Sequence, residues 1–361
     1  MTTAAELASY ASSFPSFRNR IINGDMRIDQ RNGGASVSDA NSYTLDRWYF
    51  MRGALSSSPV FNVQQSSTAP SGFKNSLSVT VGTAGAPGTS NYSSLYNLVE
   101  GFNVADLGWG TVSAQSTTLS FWVYSSVTGT FGVAFKNNAL DRSYIASYTI
   151  NSANTWEYKT VTIAGDTSET ATWLSTSETG IGLYWDMGVG TAQSTTAGSW
   201  QDGNFLGLTG GTKVSNTNGA TWYITGVQLE VGTVATPFEH RPYGVELALC
   251  QRYYYRLTGD PQSPYGVCTG QSSTRAIAVV TFPVSMRTAP TALEQSGTAT
   301  HYYIRTAGGD TVCNSVPTIH DKCTVISGMV NTYVASGLSA GYAAIAGSNN
   351  TSGYLGWSAE L

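Results

Sequence analysis

Among the groups in this chain able to carry a proton, a nucleophile or a metal are 22 carboxylates, 4 thiols and 3 imidazoles. Glycoside hydrolysis needs two carboxyls about 5–9.5 Å apart around a sugar, and none of the acids sits in a recognisable pairing motif. Asp25 and Asp29 share a face of an extended stretch, where a turn and ion-pair role with Arg27, Arg31 or Arg47 accounts for them. His240, His301 and His320 are scattered, with no Ser or Cys in a nucleophile-elbow context beside them. The glycine-rich stretch 207–213 lacks the spacing of a phosphate loop and is surrounded by strand-like sequence. Cys250, Cys268, Cys313 and Cys323 match no zinc pattern. They read as reduced and mostly buried thiols, although a Cys313–Cys323 link across a hairpin-like stretch is geometrically possible. No enzyme is expected.

The chemistry that remains is that of aromatic rings, on whose faces the C–H groups of a pyranose can stack. The chain has 9 Trp and 21 Tyr. Trp109, Trp173 and Trp200 lie in loop-like sequence and are candidate saccharide contacts. Trp122, Trp156 and Trp222 fall in alternating strand patterns, which places them in the core. Nearer the C-terminal end, His301, Tyr302, Tyr303 and Trp357 are further saccharide candidates.

Such rings need a folded framework, and composition supports one. Charged residues make up 11% and hydrophobic residues 41%, both below the usual globular share. A disordered chain would combine low hydrophobicity with high charge. Aromatics at 12% supply core area, and 39 scattered Gly suit the many turns of an all-β protein. A formal charge of −4 gives no basic footprint for nucleic acid. No apolar run approaches the roughly eighteen residues of a membrane span. The opening MTTAAELASYASSF lacks a basic region and a long apolar run, so it is not read as a secretory signal. Synthesis in a cytoplasm is the expectation.

Along the chain, residues 1–18 form a first unit. Leu7, Tyr10, Ala11 and Phe14 recur at helical spacing, and Pro15 stops the helix. One short helix cannot hide that face alone, so Leu7, Tyr10 and Phe14 are read as an attachment surface. Residues 19–240 show repeated short strands, among them 77–81, 121–124, 131–135, 144–150, 156–163, 181–185 and 222–229. Residues 125–130 read as a hairpin connection between two of them. No long amphipathic helix alternates with the strands, which indicates a sandwich or jelly roll. A helix is expected over 245–256, with Leu247, Cys250 and Tyr254 on one apolar face, and strands resume over 257–361. The fold class is therefore all-β: a jelly-roll sandwich, a short linker helix at 241–256, and a second β-rich domain.

Asn23-Gly24-Asp25-Met26 followed by Asp46-Arg47-Trp48 resembles the start of fibre and appendage proteins of tailed bacteriophages. In these, a jelly roll related to carbohydrate-binding modules follows an attachment segment. Ile224-Thr225-Gly226-Val227-Gln228-Leu229-Glu230 is similar to the last strand of such modules, and Pro237-Phe238-Glu239 with the Tyr-rich helix is similar to their exit. The resemblance covers about 19–256 and is looser over 257–361. It implies a virion protein attached through its N-terminus to other virion structural proteins and recognising host-surface polysaccharide. It also implies a homotrimer, with Leu247, Cys250 and Tyr254 near the axis. A head fibre or decoration protein and a polysaccharide depolymerase are the alternatives. No cofactor is expected. Such modules often hold a structural Ca²⁺, but Arg27 stands where an early Glu is usual and Thr225-Gly226 where late acids are, which lowers calcium affinity.

Overall fold

The computed structural model describes residues 17–38, 41–53 and 59–361. Leu7, Tyr10 and Phe14 lie outside the described residues. The chain forms two compact units, one from Met1–Arg27 with Gly34–Arg241, the other from Ile28–Gly33 with Pro242–Leu361. Thus a six-residue stretch near the start, 28–33, belongs to the second unit, together with the helix that the sequence suggested as a separate linker.

The first unit is a sandwich of two antiparallel sheets. One orders its strands Val37–Ser38, Val60–Ser66, Ser76–Thr83, Thr221–Val231, Thr117–Ser125, Glu157–Ile163. The other runs Trp200–Asp202, Arg142–Ile150, Gly129–Lys136, Thr179–Val189, Tyr92–Glu100, Trp48–Gly53, Ser42–Leu45. Alternate residues of both, such as Phe61, Val79, Phe121 and Trp222 against Trp48, Leu95, Phe135 and Trp185, meet in one core, as strand periodicity requires. Strands 117–125 and 129–136 lie in different sheets, so the connection 125–130 is not the hairpin the sequence suggested. Both strands bury an alternating face in the same core, but from opposite sides, and alternation alone does not distinguish the two arrangements.

The two segments that bracket the sandwich meet in space. Arg20 N donates to Leu229 O at 2.9 Å, and Val227 N donates to Gly24 O at 2.9 Å. Asn19 Nδ2 donates to Val227 O at 2.9 Å, while its Oδ1 accepts from Leu229 N at 3.1 Å. Trp48 Nε1 donates to Asn23 O at 2.9 Å. The entry segment and the last strand are thus stitched by hydrogen bonds of buried amides, which must be paired once water is excluded.

The second unit holds a seven-stranded sheet, Gly309–Val312, Tyr302–Thr306, Ala343–Ser348, Ser263–Gly270, Arg275–Thr281, Ser327–Tyr333, Ser315–Ile319, and a three-stranded sheet, Tyr254–Thr258, Tyr354–Ser358, Leu293–Gln295. The helix spans Tyr243–Gln251 rather than 245–256. Its expected last residues instead form a strand, with Tyr254 to Thr258 paired against Ser358 to Tyr354. Consecutive tyrosines favour an extended, half-buried surface, and the ladder with the C-terminal strand outweighs helical periodicity. Cys250 and Tyr254 are fully buried in their own chain. Leu247 is half-buried, while Tyr243 and Val245 are exposed. The Leu247/Cys250/Tyr254 face is therefore not free to line a trimer axis.

All four cysteines are free thiols. Burial pushes Cys268 up to about 11 and Cys313 up to about 12. Among the described residues, no helix is long and apolar enough to cross a membrane.

Candidate functional site

Trp109, Trp173 and Trp200, far apart in sequence, come together in the first unit, although Trp200 opens the edge strand Trp200–Asp202 rather than lying in a loop as expected. Trp109 and Trp173 lie 4.9 Å apart between centroids, Trp109 and Trp200 5.2 Å, and Trp173 and Trp200 5.3 Å, all edge to face. Each indole N–H is anchored: Trp109 to Gln115 O at 2.8 Å, Trp173 to Asp166 Oδ2 at 3.0 Å, and Trp200 to Ala164 O at 2.9 Å. The buried Asp166 is itself fixed, its carboxylate accepting from Arg142 Nη2 at 2.8 Å and Nε at 3.1 Å. The Arg142 guanidinium also binds Asp202 at 2.7 Å. A paired carboxylate of this kind is a positioning group for Trp173.

A cavity of about 230 Å³ opens beside this cluster, with Val104, Ala105, Trp109, Trp173, Leu174 and Ile181 in its wall. Two loops build it, one following the strand Tyr92–Glu100 and one preceding Thr179–Val189. They approach closely because Gly101 and Gly180 carry no side chain. A Cβ on Gly101 would collide with Leu174 O, and one on Gly180 with Val104 and with Gly101 itself. Trp109 is mostly covered and Trp173 half-buried, so the wall offers indole surface without projecting it into water.

The other candidates behave differently. Tyr302, Tyr303 and Trp357 are core residues of the second unit, each at most 1% exposed. Trp357 stacks on Tyr255 at 6.1 Å and meets the edge of Phe282 at 5.5 Å. The Tyr303 ring lies over Gly347, its cross-strand neighbour, and its hydroxyl donates to Gln262 O at 3.0 Å. Tyr302 donates to Tyr354 O at 2.8 Å. His301 is half-buried, with Nδ1 2.9 Å from Ser296 Oγ. These residues are not gathered into a saccharide surface. Trp222 is core as expected, but Trp122 is half-buried on the outer face of its sheet beside Tyr158, and Trp156 is half-buried just before the strand Glu157–Ile163, beside Tyr223. A strand has two faces, and the register of Thr117–Ser125 places Trp122 on the outer one.

One aromatic feature escaped sequence reasoning. Tyr43, Tyr49, Tyr96 and Tyr184 form a ladder across four neighbouring strands, with successive centroids 5.0, 4.8 and 5.2 Å apart. It lies on the side of the second sheet away from the sandwich core. The available signal was that Trp48/Phe50 and Tyr49/Met51 are apolar on both registers of one strand, where a half-solvated strand would alternate. Leu206, Phe205 and Leu208 pack over the Tyr184 end. There Lys136 is 1% exposed, lies 4.8 Å from the Tyr184 ring centroid and donates to Asn204 Oδ1.

The site suggested for calcium is built otherwise. Asp25 pairs with Arg27, and its burial outweighs that pairing to raise the carboxyl above its usual range. Arg241 donates to Ile21 O at 3.1 Å and to Asn19 O, so a guanidinium occupies the carbonyls near the chain's entry to the sandwich. Thr225 Oγ1 donates to Asn75 O at 2.8 Å. Among the described residues, no group of three or more His, Cys, Asp or Glu side chains is placed to hold a metal ion.

No family model matches the sequence, and no curated protein matches it either. Among solved structures, the enzymatically active domain of tailspike protein 4 from bacteriophage CBA120 is 12% identical, with a TM-score of 0.32 over 60% of this chain and 22% of that one. The chain therefore spans less than a quarter of that protein. A carbohydrate-binding module of family 4 is 15% identical, with a TM-score of 0.31 over 59% of this chain and 99% of its own. The family 11 module of a cellulosomal cellulase from Clostridium thermocellum is 12% identical, with a TM-score of 0.28 over 57% and 98%. At these identities and scores the likeness extends neither to a ligand nor to an activity.

Proposed function

We propose that the chain is a non-enzymatic structural protein of a tailed-phage virion whose first unit recognises a saccharide of the host surface. The cavity walled by Trp109 and Trp173 carries this reading. It joins two rings of the type that stacks on a pyranose to a concave shape, and each indole is held by a hydrogen bond of its own. No carboxylate lines the cavity, and Asp166, which holds Trp173, already binds Arg142. That arrangement suits holding a sugar rather than cleaving a glycosidic bond. On this reading residues 1–18 dock on other virion proteins, and the chain works as a homotrimer. Each stacked ring contributes only about 0.5–1.5 kcal/mol beyond its area, so copies on one particle raise the avidity.

The test is affinity electrophoresis of the full chain in gels containing host-surface polysaccharide, with Trp173→Ala beside the wild type. The wild type should be retarded, the variant should migrate freely with unchanged circular dichroism, and no new reducing ends should form. Release of reducing ends would establish a depolymerase instead. Absence of retardation, together with failure to compete with particle adsorption, would leave a head decoration role.

A further inference from the structure

From the lining of the Trp109/Trp173 cavity we infer that its ligand is a single, uncharged sugar unit carrying a methyl group, as a 6-deoxyhexose or an N-acetylated hexosamine does. The inference rests on the saccharide reading above. Size limits the ligand first. At about 230 Å³ the cavity falls below the ~300–1,000 Å³ of pockets that enclose drug-sized molecules. It takes a terminal residue or a side branch, not a run of linked sugars.

Polarity limits it next. The wall contains no charged side chain. The nearby cations are engaged: Arg20 with Asp106 at 2.6 Å, and Arg142 with Asp166 and Asp202. A uronic or sialic carboxylate would enter without a counter-ion, and burying an unpaired charge is the costliest event such a site can undergo. Two hydroxyl side chains line the cavity, and one of them is committed. Thr111 Oγ1 donates to Gly108 O at 2.6 Å and accepts from Ser113 N at 3.2 Å. Ser175 is exposed at the rim. Where the wall is formed by the side chains of Val104, Ala105, Leu174 and Ile181, it offers a sugar hydroxyl no partner. A methyl in the same place gains by leaving water. The same loop also exposes Phe102 and Val112.

The experiment uses the full chain and the free sugars L-rhamnose, L-fucose, N-acetylglucosamine, glucose and glucuronate, each competing against host polysaccharide. Saturation-transfer NMR identifies which ligand protons touch protein. At least one methyl-bearing sugar should compete at roughly tenfold lower concentration than glucose or glucuronate, with its methyl protons the most saturated. The 6-deoxy and N-acetyl arms distinguish the two sources of the methyl. Leu174→Lys should weaken the methyl-bearing sugar and improve glucuronate. If that variant misfolds by circular dichroism, the wild-type series still decides. Equal competition by glucuronate, or saturation confined to ring protons, overturns the inference while the saccharide reading stands. Polysaccharide binding that is absent, or indifferent to Trp173→Ala, overturns both.

Discussion

The guanidinium of Arg31 lies over the ring of Tyr254, 3.5 Å from its centroid, and Glu294 binds both residues. Arg31 Nη1 is 2.5 Å from Glu294 Oε1, and the Tyr254 hydroxyl donates to Glu294 Oε2 at 2.7 Å. Gln30 Nε2 also donates to Tyr254 O at 2.8 Å, and Arg256 donates to Arg31 O. The stretch Ile28–Gly33 thereby becomes part of the second unit, beside a strand more than two hundred residues later in the chain.

Arg31→Ala should therefore destabilise the second unit. It removes a cation–π contact and an ion pair from a side chain only 9% exposed, a loss of about 1–3 kcal/mol. Lysine should not restore the loss, because it lacks the planar fork that covers the ring while binding a carboxylate. Calorimetric melting of the full chain checks this, and an unchanged profile would refute it. A fragment 257–361 should fail to fold, since it lacks most of the strand Tyr254–Thr258 and all of 28–33.

Lys136 should make stability rise with pH above neutrality. Burial pushes its ammonium down to about 7, against about 10.4 for an exposed lysine. Between those values the unfolded chain binds a proton that the folded chain does not, so unfolding becomes harder as pH increases. The penalty is fully present below about 7 and is relieved toward 10. Lys136→Met keeps much of the stem and removes the titration, so it should stabilise at pH 7 and flatten the slope. The gain is on the order of a few kcal/mol, because each pH step of one between those two values is worth ~1.4 kcal/mol. Denaturant titrations at pH 6, 7, 8 and 9 measure it. A Met variant less stable than wild type at pH 7, with the slope intact, would contradict the assignment.

The glycine pair under the cavity should tolerate no side chain. Gly101→Ala drives a Cβ into Leu174 O, and Gly180→Val drives one into Val104. Overpacking of this kind costs about 1–3 kcal/mol. Because the displaced loops carry Trp173 and Leu174, polysaccharide retention should fall together with melting temperature. Retention that persists in a destabilised Gly101→Ala would show that the cavity is not the binding site.

Much of the sandwich was legible in the residues themselves. Alternation in Ser76–Thr83, Thr117–Ser125 and Thr179–Val189 marked strands because the side-chain period of an extended chain is two, whatever it packs against. The bracketing segments 19–32 and 222–256 stood out as well, and in the structure Asn19 ties the first to the second by pairing with Val227 O and Leu229 N. Loop-like surroundings singled out Trp109, Trp173 and Trp200, but Trp109 and Trp173 wall one cavity only because two loops pass over Gly101 and Gly180, and Trp200 meets them from an edge strand. Tertiary structure alone decided the rest. Alternation gives two faces without saying which is solvated, so Tyr302, Tyr303 and Trp357 went inside while Trp122 stayed half out. Helical spacing in 245–256 yielded to the ladder that Tyr254 makes with Ser358. The placement of Ile28–Gly33 depends on Arg31 finding Tyr254 and Glu294, partners whose nearness no local pattern encodes, because contacts between distant segments form only when the whole chain is compact.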